Sequence, residues 1–162
     1  MMRIFTTTPP NSAAKFVLLA AWFVMAFMVG GGIYENLVLN TAWPSNPLLI
    51  QPELGGVNRK VFWIPLHALM TLLLPIAIWL YWSEKTVRRF LLVSLAFYLI
   101  VRIWSILYFI PVALEFEAMQ VEPIEQAKLA KTWVALSPLR SVLSLAATVC
   151  LTICIFGANE PR

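Results

Sequence analysis

The stretch FLLVSLAFYLIVRIWSILYFIPVAL, residues 90–114, is twenty-five residues long and carries a single charge, Arg102. About 20 mostly apolar residues suffice to cross the roughly 30 Å of a bilayer's hydrocarbon, so this run reads as a transmembrane helix. Three more runs share its character. Residues 16–34 and 141–159 hold nineteen residues each without a charge, and residues 61–83 hold twenty-three with one histidine, His67. Of the 162 residues 60% are hydrophobic and 12% charged, with a mean hydropathy of +0.80. A soluble domain is about a quarter charged, and a chain this short cannot hide such an apolar excess in one core. The expectation is an all-α integral membrane four-helix bundle, one domain over residues 1–162, with spans at about 16–38, 61–83, 90–112 and 138–157. The lipid bilayer is then its first partner.

All eight acids are glutamates and the twelve Lys and Arg residues are scattered. No concentrated basic face of the kind that binds nucleic acid is visible. Counting Lys and Arg in the flanks sets the orientation. Arg3, Lys15, Lys85, Arg88, Arg89 and Arg162 fall on one side; Arg59, Lys60, Lys128 and Lys131 fall on the other. Six against four predicts cytoplasmic N- and C-termini and two external loops, as expected of a multi-pass protein of a bacterial inner (plasma) membrane. The first loop, about residues 39–60, contains Trp43-Pro44-Ser45-Asn46-Pro47, a turn-rich segment. The second, about residues 115–132, has the Glu, Gln, Ala, Lys and Leu content of a short amphipathic helix and holds Glu122 and Glu125, read as solvated. The first span is longer than the roughly 7–15-residue core of a signal peptide and lacks an A-x-A site after it, which predicts a retained helix. Cys150 and Cys154, four apart on one helix, read as buried small hydrophobes rather than a disulfide.

Charged side chains inside a span are costly and usually face the bundle interior. Glu35 sits at the outer end of the first span, and His67 about 9 Å into the second by the helical rise. Arg102 is near the middle of the third span, Glu115 at its outer exit, and Arg140 at the outer entrance of the fourth. Five ionisable groups from four helices therefore share one half of the bilayer. Helical phase groups them further: Trp63, His67 and Thr71 form one stripe, Tyr98, Arg102, Ser105 and Phe109 a narrow arc, and Trp133, Ser137, Arg140 and Ser144 another. Gly30, Gly31 and Gly32 permit close backbone approach just before Glu35. Trp104, Tyr108 and Glu115 fall on a different arc, toward lipid, a partner or the loops. Three plainer readings stay open. Glu35 with Arg102 or Arg140 can be a structural clamp, His67 can merely satisfy a hydrogen bond, and most of Trp22, Trp43, Trp63, Trp79, Trp82 and Trp133 can form an interfacial aromatic belt.

One histidine excludes bis-histidine haem ligation. Glu35, His67 and Glu115 lack a recognisable metal-ligand spacing, and no nucleotide, hydrolase or redox-dithiol motif is present. No cofactor and no metal are expected. A half-buried His/Glu/Arg cluster among aromatics suits a lipophilic, partly polar small molecule, with His67 or Glu35 as general base and arginine stabilising an enolate or phenolate.

Gly32-Ile33-Tyr34-Glu35-Asn36-Leu37-Val38-Leu39 with Ala42-Trp43-Pro44-Ser45-Asn46-Pro47 resembles a pattern of the anthrone oxygenase-like family of small four-span bacterial membrane proteins. Phe62-Trp63-Ile64-Pro65-Leu66-His67, Arg102 with Tyr108-Phe109-Ile110-Pro111, and Trp133-Val134-Ala135-Leu136-Ser137-Pro138-Leu139-Arg140 continue the likeness from about Gly30 to Arg140. The resemblance implies a four-helix bundle and, from the fungal relatives, cofactor-independent oxidation of an anthrone to an anthraquinone.

The leading expectation is an outward-facing pocket for a lipophilic aromatic or quinone-like molecule. If it is an enzyme, it is oxygenase-like, with His67 as base, Arg102 and Arg140 as anion stabilisers, and Glu35 orienting one of them. Trp43, Trp63, Tyr98, Ser105, Trp133 and Ser137 are the expected ligand-binding side chains. The alternative is a non-enzymatic accessory or structural subunit that buries its polar stripe against a membrane protein partner. A narrow transporter built as a homo-oligomer ranks last, because four spans without repeats make an incomplete carrier.

Overall fold

The computed structural model describes residues 12–118 and 123–157. Four long helices account for nearly all of them: α1 (Ser12–Ala42), α2 (Arg59–Leu80), α3 (Lys85–Glu117) and α4 (Pro123–Gly157). No strand occurs among the described residues. Each helix exceeds the length needed to cross a bilayer and is apolar enough to do so. The protein is therefore a multi-pass, all-α four-helix membrane bundle. Its outward surface is what lipid requires. Phe16, Phe23, Leu72, Trp79, Leu107, Val142 and Phe156 are all exposed.

The helices run up and down in sequence and pack in the order α2–α1–α4–α3. The α1–α2, α1–α4 and α3–α4 seams are extensive, and the closing seam between α2 and α3 is sparse. A four-residue turn joins α2 to α3, with the Glu84 amide donating to the Tyr81 carbonyl at 3.0 Å. Arg88 donates to the Trp82 carbonyl at 2.7 Å and stacks over the Trp82 ring. At the opposite end, residues 43–58 fold over the bundle. There Pro47 and Pro52 each open a 3₁₀ turn, a position where the missing amide goes unnoticed, and Gly55 takes the left-handed conformation at φ 84°.

Two cores result. In the turn-end half, Leu18, Ala21, Met25, Met70, Leu74, Ala77, Tyr81, Leu91, Ala147 and Leu151 make an apolar core. In the loop-end half, Trp43, Ile50, Phe109, Val112, Phe116, Ala130 and Trp133 make an aromatic one. Cys150 and Cys154 are buried and free, Cys154 in the turn-end core.

The observed boundaries differ from the expected ones in instructive ways. Both α1 and α3 run on past the expected span ends, and each contains a π turn, at Glu35–Leu39 and Ser105–Phe109. The second π turn ends two residues before Pro111, whose ring would clash with the Leu107 carbonyl in a regular helix. The first follows three glycines, which hold a helix weakly. The helix expected in the second loop is not separate. It is the first turns of the 35-residue α4, which passes through Pro138 without a break, the proline lying on the exposed side. Of the residues used for orientation, Arg3 and Arg162 lie outside the described residues, as does Glu122.

Polar side chains tie the α1–α4 seam. Ser141 Oγ accepts from Asn36 Nδ2 at 2.9 Å, Asn36 Oδ1 accepts from Asn40 at 2.9 Å, and Asn40 Oδ1 accepts from the Trp43 indole at 3.1 Å. The seam is close because α1 is bare there: a Cβ on Gly32 would lie 2.8 Å from Ser141 Oγ, while one on Gly30 would meet nothing. Gly32→Leu should therefore lower stability by about 1–3 kcal/mol through overpacking, read as a drop in melting temperature in detergent. Gly30→Ala should leave it unchanged or slightly raised.

Candidate functional site

Between the two cores the helices line a cavity of about 760 Å³. Glu35 from α1, Trp63 and His67 from α2, Arg102 and Ser105 from α3, and Trp133, Ser137 and Arg140 from α4 all line it. The four residues expected to carry chemistry thus share one space. So do four of the six expected ligand-binding residues. The other two do not line it. Trp43 is 1% exposed and lies inside the loop-end aromatic core, 4.9 Å from Phe116 and 5.7 Å from Trp133 between ring centroids. Tyr98 is buried beneath the cavity, its hydroxyl donating to the His67 carbonyl at 3.0 Å and lying 2.9 Å from Thr71 Oγ1. Trp43 is a core residue of the loop, and Tyr98 is a brace between α2 and α3.

Trp63 organises one wall. Its indole N–H donates to Glu35 Oε1 at 2.8 Å, and its ring stacks on His67 with centroids 5.8 Å apart at 29°. One side chain thereby fixes a carboxylate on the neighbouring helix and an imidazole one turn along its own. The expected pairing of Glu35 with an arginine is absent: among the described residues Glu35 makes no ion pair with Arg102 or Arg140. The reason is local. The π turn begins at Glu35, and Trp63 of α2 reaches the carboxylate first. His67 Nδ1 is buried without a hydrogen-bond partner, so the ring is held by stacking and its nitrogen is unspent.

The opposite wall is cationic and aromatic. The Arg140 guanidinium lies 3.6 Å from the Phe109 ring centroid and 5.4 Å from that of Trp133, and its Nη2 donates to Ser137 Oγ at 2.8 Å. Cation–π contacts of this kind hold a guanidinium in place without neutralising it. The Trp133 indole is itself anchored on the Phe109 carbonyl at 3.2 Å. The Arg102 guanidinium has no hydrogen bond or ion pair among the described residues. Its charge faces the cavity unspent.

Sequence reasoning missed a second layer. Arg59, Lys60 and Glu117 line the cavity at its loop end, with Lys60 Nζ 2.7 Å and Arg59 Nη2 3.7 Å from the Glu117 carboxylate. Glu115, expected on a different arc from Arg102, is exposed and does not line the cavity. The signal was available: Phe109, Ala113 and Glu117 continue the Arg102 arc at four-residue steps. Ser141, another lining residue, belongs to the asparagine chain on α1. Among the described residues no group of His, Cys, Asp and Glu could hold a metal ion.

No family model, curated protein or solved structure matches the chain, so its site is read from its own geometry. That geometry makes Trp63 the joint of the wall. Trp63→Phe keeps a ring beside His67 but removes the donor to Glu35. The expected cost is about 1–3 kcal/mol, that of leaving a buried acceptor unpaired, measured by denaturation in detergent. Adding Glu35→Leu should recover most of it, and strictly additive losses would contradict the coupling.

Proposed function

We propose that the cavity binds a lipophilic aromatic or quinone-like molecule through an anionic or electron-rich oxygen. The observation that carries this reading is Arg102: a guanidinium inside a membrane bundle, lining an aromatic-walled space, with no hydrogen-bond or ion-pair partner among the described residues. An unpaired charge at such a depth is costly, and residues of this kind usually mark a site. Four cationic side chains line the cavity against two carboxylates, which favours an oxyanion over a cation. Trp63 and Trp133 supply flat apolar walls for a ring system, and the volume falls in the range that encloses a small molecule.

The resemblance to anthrone oxygenase-like proteins adds a reaction to this proposal. His67, its Nδ1 unspent, takes the proton from an anthrone methylene. Arg102 and Arg140 stabilise the resulting phenolate. Dioxygen is the oxidant, forming a carbon–oxygen bond at that carbon. Loss of the second hydrogen as water leaves the quinone carbonyl, so one anthrone and one dioxygen give one anthraquinone and one water. No cofactor enters. Orientation belongs to the proposal as well: the cationic turn Lys85, Arg88 and Arg89 faces the cytoplasm, and the cavity lies in the outer half of the bilayer.

The test is binding and oxygen uptake with anthrone and 1,4-dihydroxynaphthalene on protein in nanodiscs. Arg102→Ala should weaken binding by about tenfold or more, the usual worth of a hydrogen bond to a charged group. His67→Ala should retain binding and reduce anthrone-dependent oxygen uptake to the uncatalysed background. Turnover that survives His67→Ala contradicts its role as base. Binding indifferent to Arg102→Ala, or no binding, contradicts the site.

A further inference from the structure

The way into the cavity is sideways. Its loop end is shut by the aromatic core, where Trp43, Ile50, Phe116 and Trp133 are each no more than 3% exposed. Its turn end is shut by the apolar core below Tyr98. The α2–α3 seam is different. The two helices are strapped together near the loop end by Lys60 and Glu117 at 2.7 Å, and lower down by the Tyr98 hydroxyl against Thr71 and the His67 carbonyl. Thr71 lies eleven residues beyond Lys60 on α2, about 16 Å along the axis. Over this interval the cavity reaches the outer face of the bundle. Ile64, Leu72, Ile110 and Leu114 line it and are nevertheless 64%, 62%, 44% and 45% exposed. The rim is therefore aliphatic and faces hydrocarbon, while the floor behind it is charged.

That polarity gradient matches an amphiphile lying across the seam. We propose that the ligand is a membrane-resident lipid with a quinone or phenol headgroup and an aliphatic tail. The head sits among Arg102, Arg140 and His67, and the tail leaves between α2 and α3 into the bilayer. This deepens the reading of the previous subsection and rests on it. A tail placed in the seam exchanges lipid for Ile and Leu side chains of equal polarity, so it adds no desolvation cost. A tail-free aromatic would leave the seam to be filled by an acyl chain.

The experiment is photolabelling in nanodiscs with a 1,4-naphthoquinone carrying a two-isoprene tail that ends in a diazirine, with and without excess 2-methyl-1,4-naphthoquinone. The fluorescence of the native tryptophans reports binding of the tail-free competitor in parallel. The expected result is label on peptides holding Ile64, Ile110 or Leu114, reduced at least about fivefold by the competitor. Competed label confined to the outward faces of α1 or α4 overturns the seam as the route and leaves the headgroup reading standing. So does binding of the tail-free quinone without any competed label, which would mean a site closed to tails. If the tail-free quinone does not bind and no label is competed, the headgroup reading fails and this inference fails with it.

Discussion

The Glu35 carboxylate lies in a transmembrane helix, 8% exposed, and its hydrogen bond comes from Trp63 on the neighbouring helix. In hydrocarbon a polar group has no water to fall back on, so every one must find its partner within the protein or face a space that can hold one. That constraint arranges the loop-end half of this bundle. Asn36, Asn40, Ser141 and Trp43 satisfy one another along the α1–α4 seam. Arg140 lies against Phe109 and Trp133, and Lys60 and Arg59 reach Glu117. The turn-end half, filled mostly with Leu, Met and Ala, needs less of it: the Trp22 indole donates to Thr152 Oγ1 at 2.9 Å and the Ser94 hydroxyl to the Ala147 carbonyl at 3.1 Å.

The cavity follows from the same rule. Large aromatics close the loop end as a core of their own, and the aliphatic core closes the other. The helices between them must present charged and hydroxylic side chains without burying them against one another. The two π turns help: each inserts an extra residue into its helical turn, one starting at Glu35 and the other at Ser105. Each shifts the phase of the helix beyond it. Both turns open at the cavity: Glu35 and Ser105 line it, Gly32 and Arg102 line it from three residues before, and Phe109 serves both the cavity and the aromatic core.

Much of this was legible in the sequence, because hydropathy and helical phase are local. Four spans, the one-sided placement of Glu35, His67, Arg102 and Arg140, and the stripe of Trp63 and His67 all follow from counting along a helix. What was not legible depends on which helices touch. Glu35 was expected beside an arginine, yet α1 packs on α2, so the indole of Trp63 is the nearer donor. Trp43 read as a loop aromatic near a pocket, and only the fold of residues 43–58 puts it into a core. Trp63 and Trp133 face inward, whereas Trp79 and Trp82 remain exposed near the turn as an aromatic belt would have them. Pro138 read as a place where the entrance of the fourth span could kink, yet α4 is continuous through it, with the proline on the exposed side.

The bundle carries unspent charge in its loop-end half, and the proposal is that it holds an oxygenated amphiphile there. Native mass spectrometry of the protein released from its own membranes, with extraction of whatever it carries, addresses that claim in one measurement. The account predicts a stoichiometric lipophilic molecule with an aromatic or quinone-like head, present on the wild-type protein and lost from Arg102→Ala. A protein that carries only bulk phospholipid, equally in both forms, would contradict it. Retention of a second membrane protein in place of a small molecule would contradict it as well, and would make the polar cluster a contact surface.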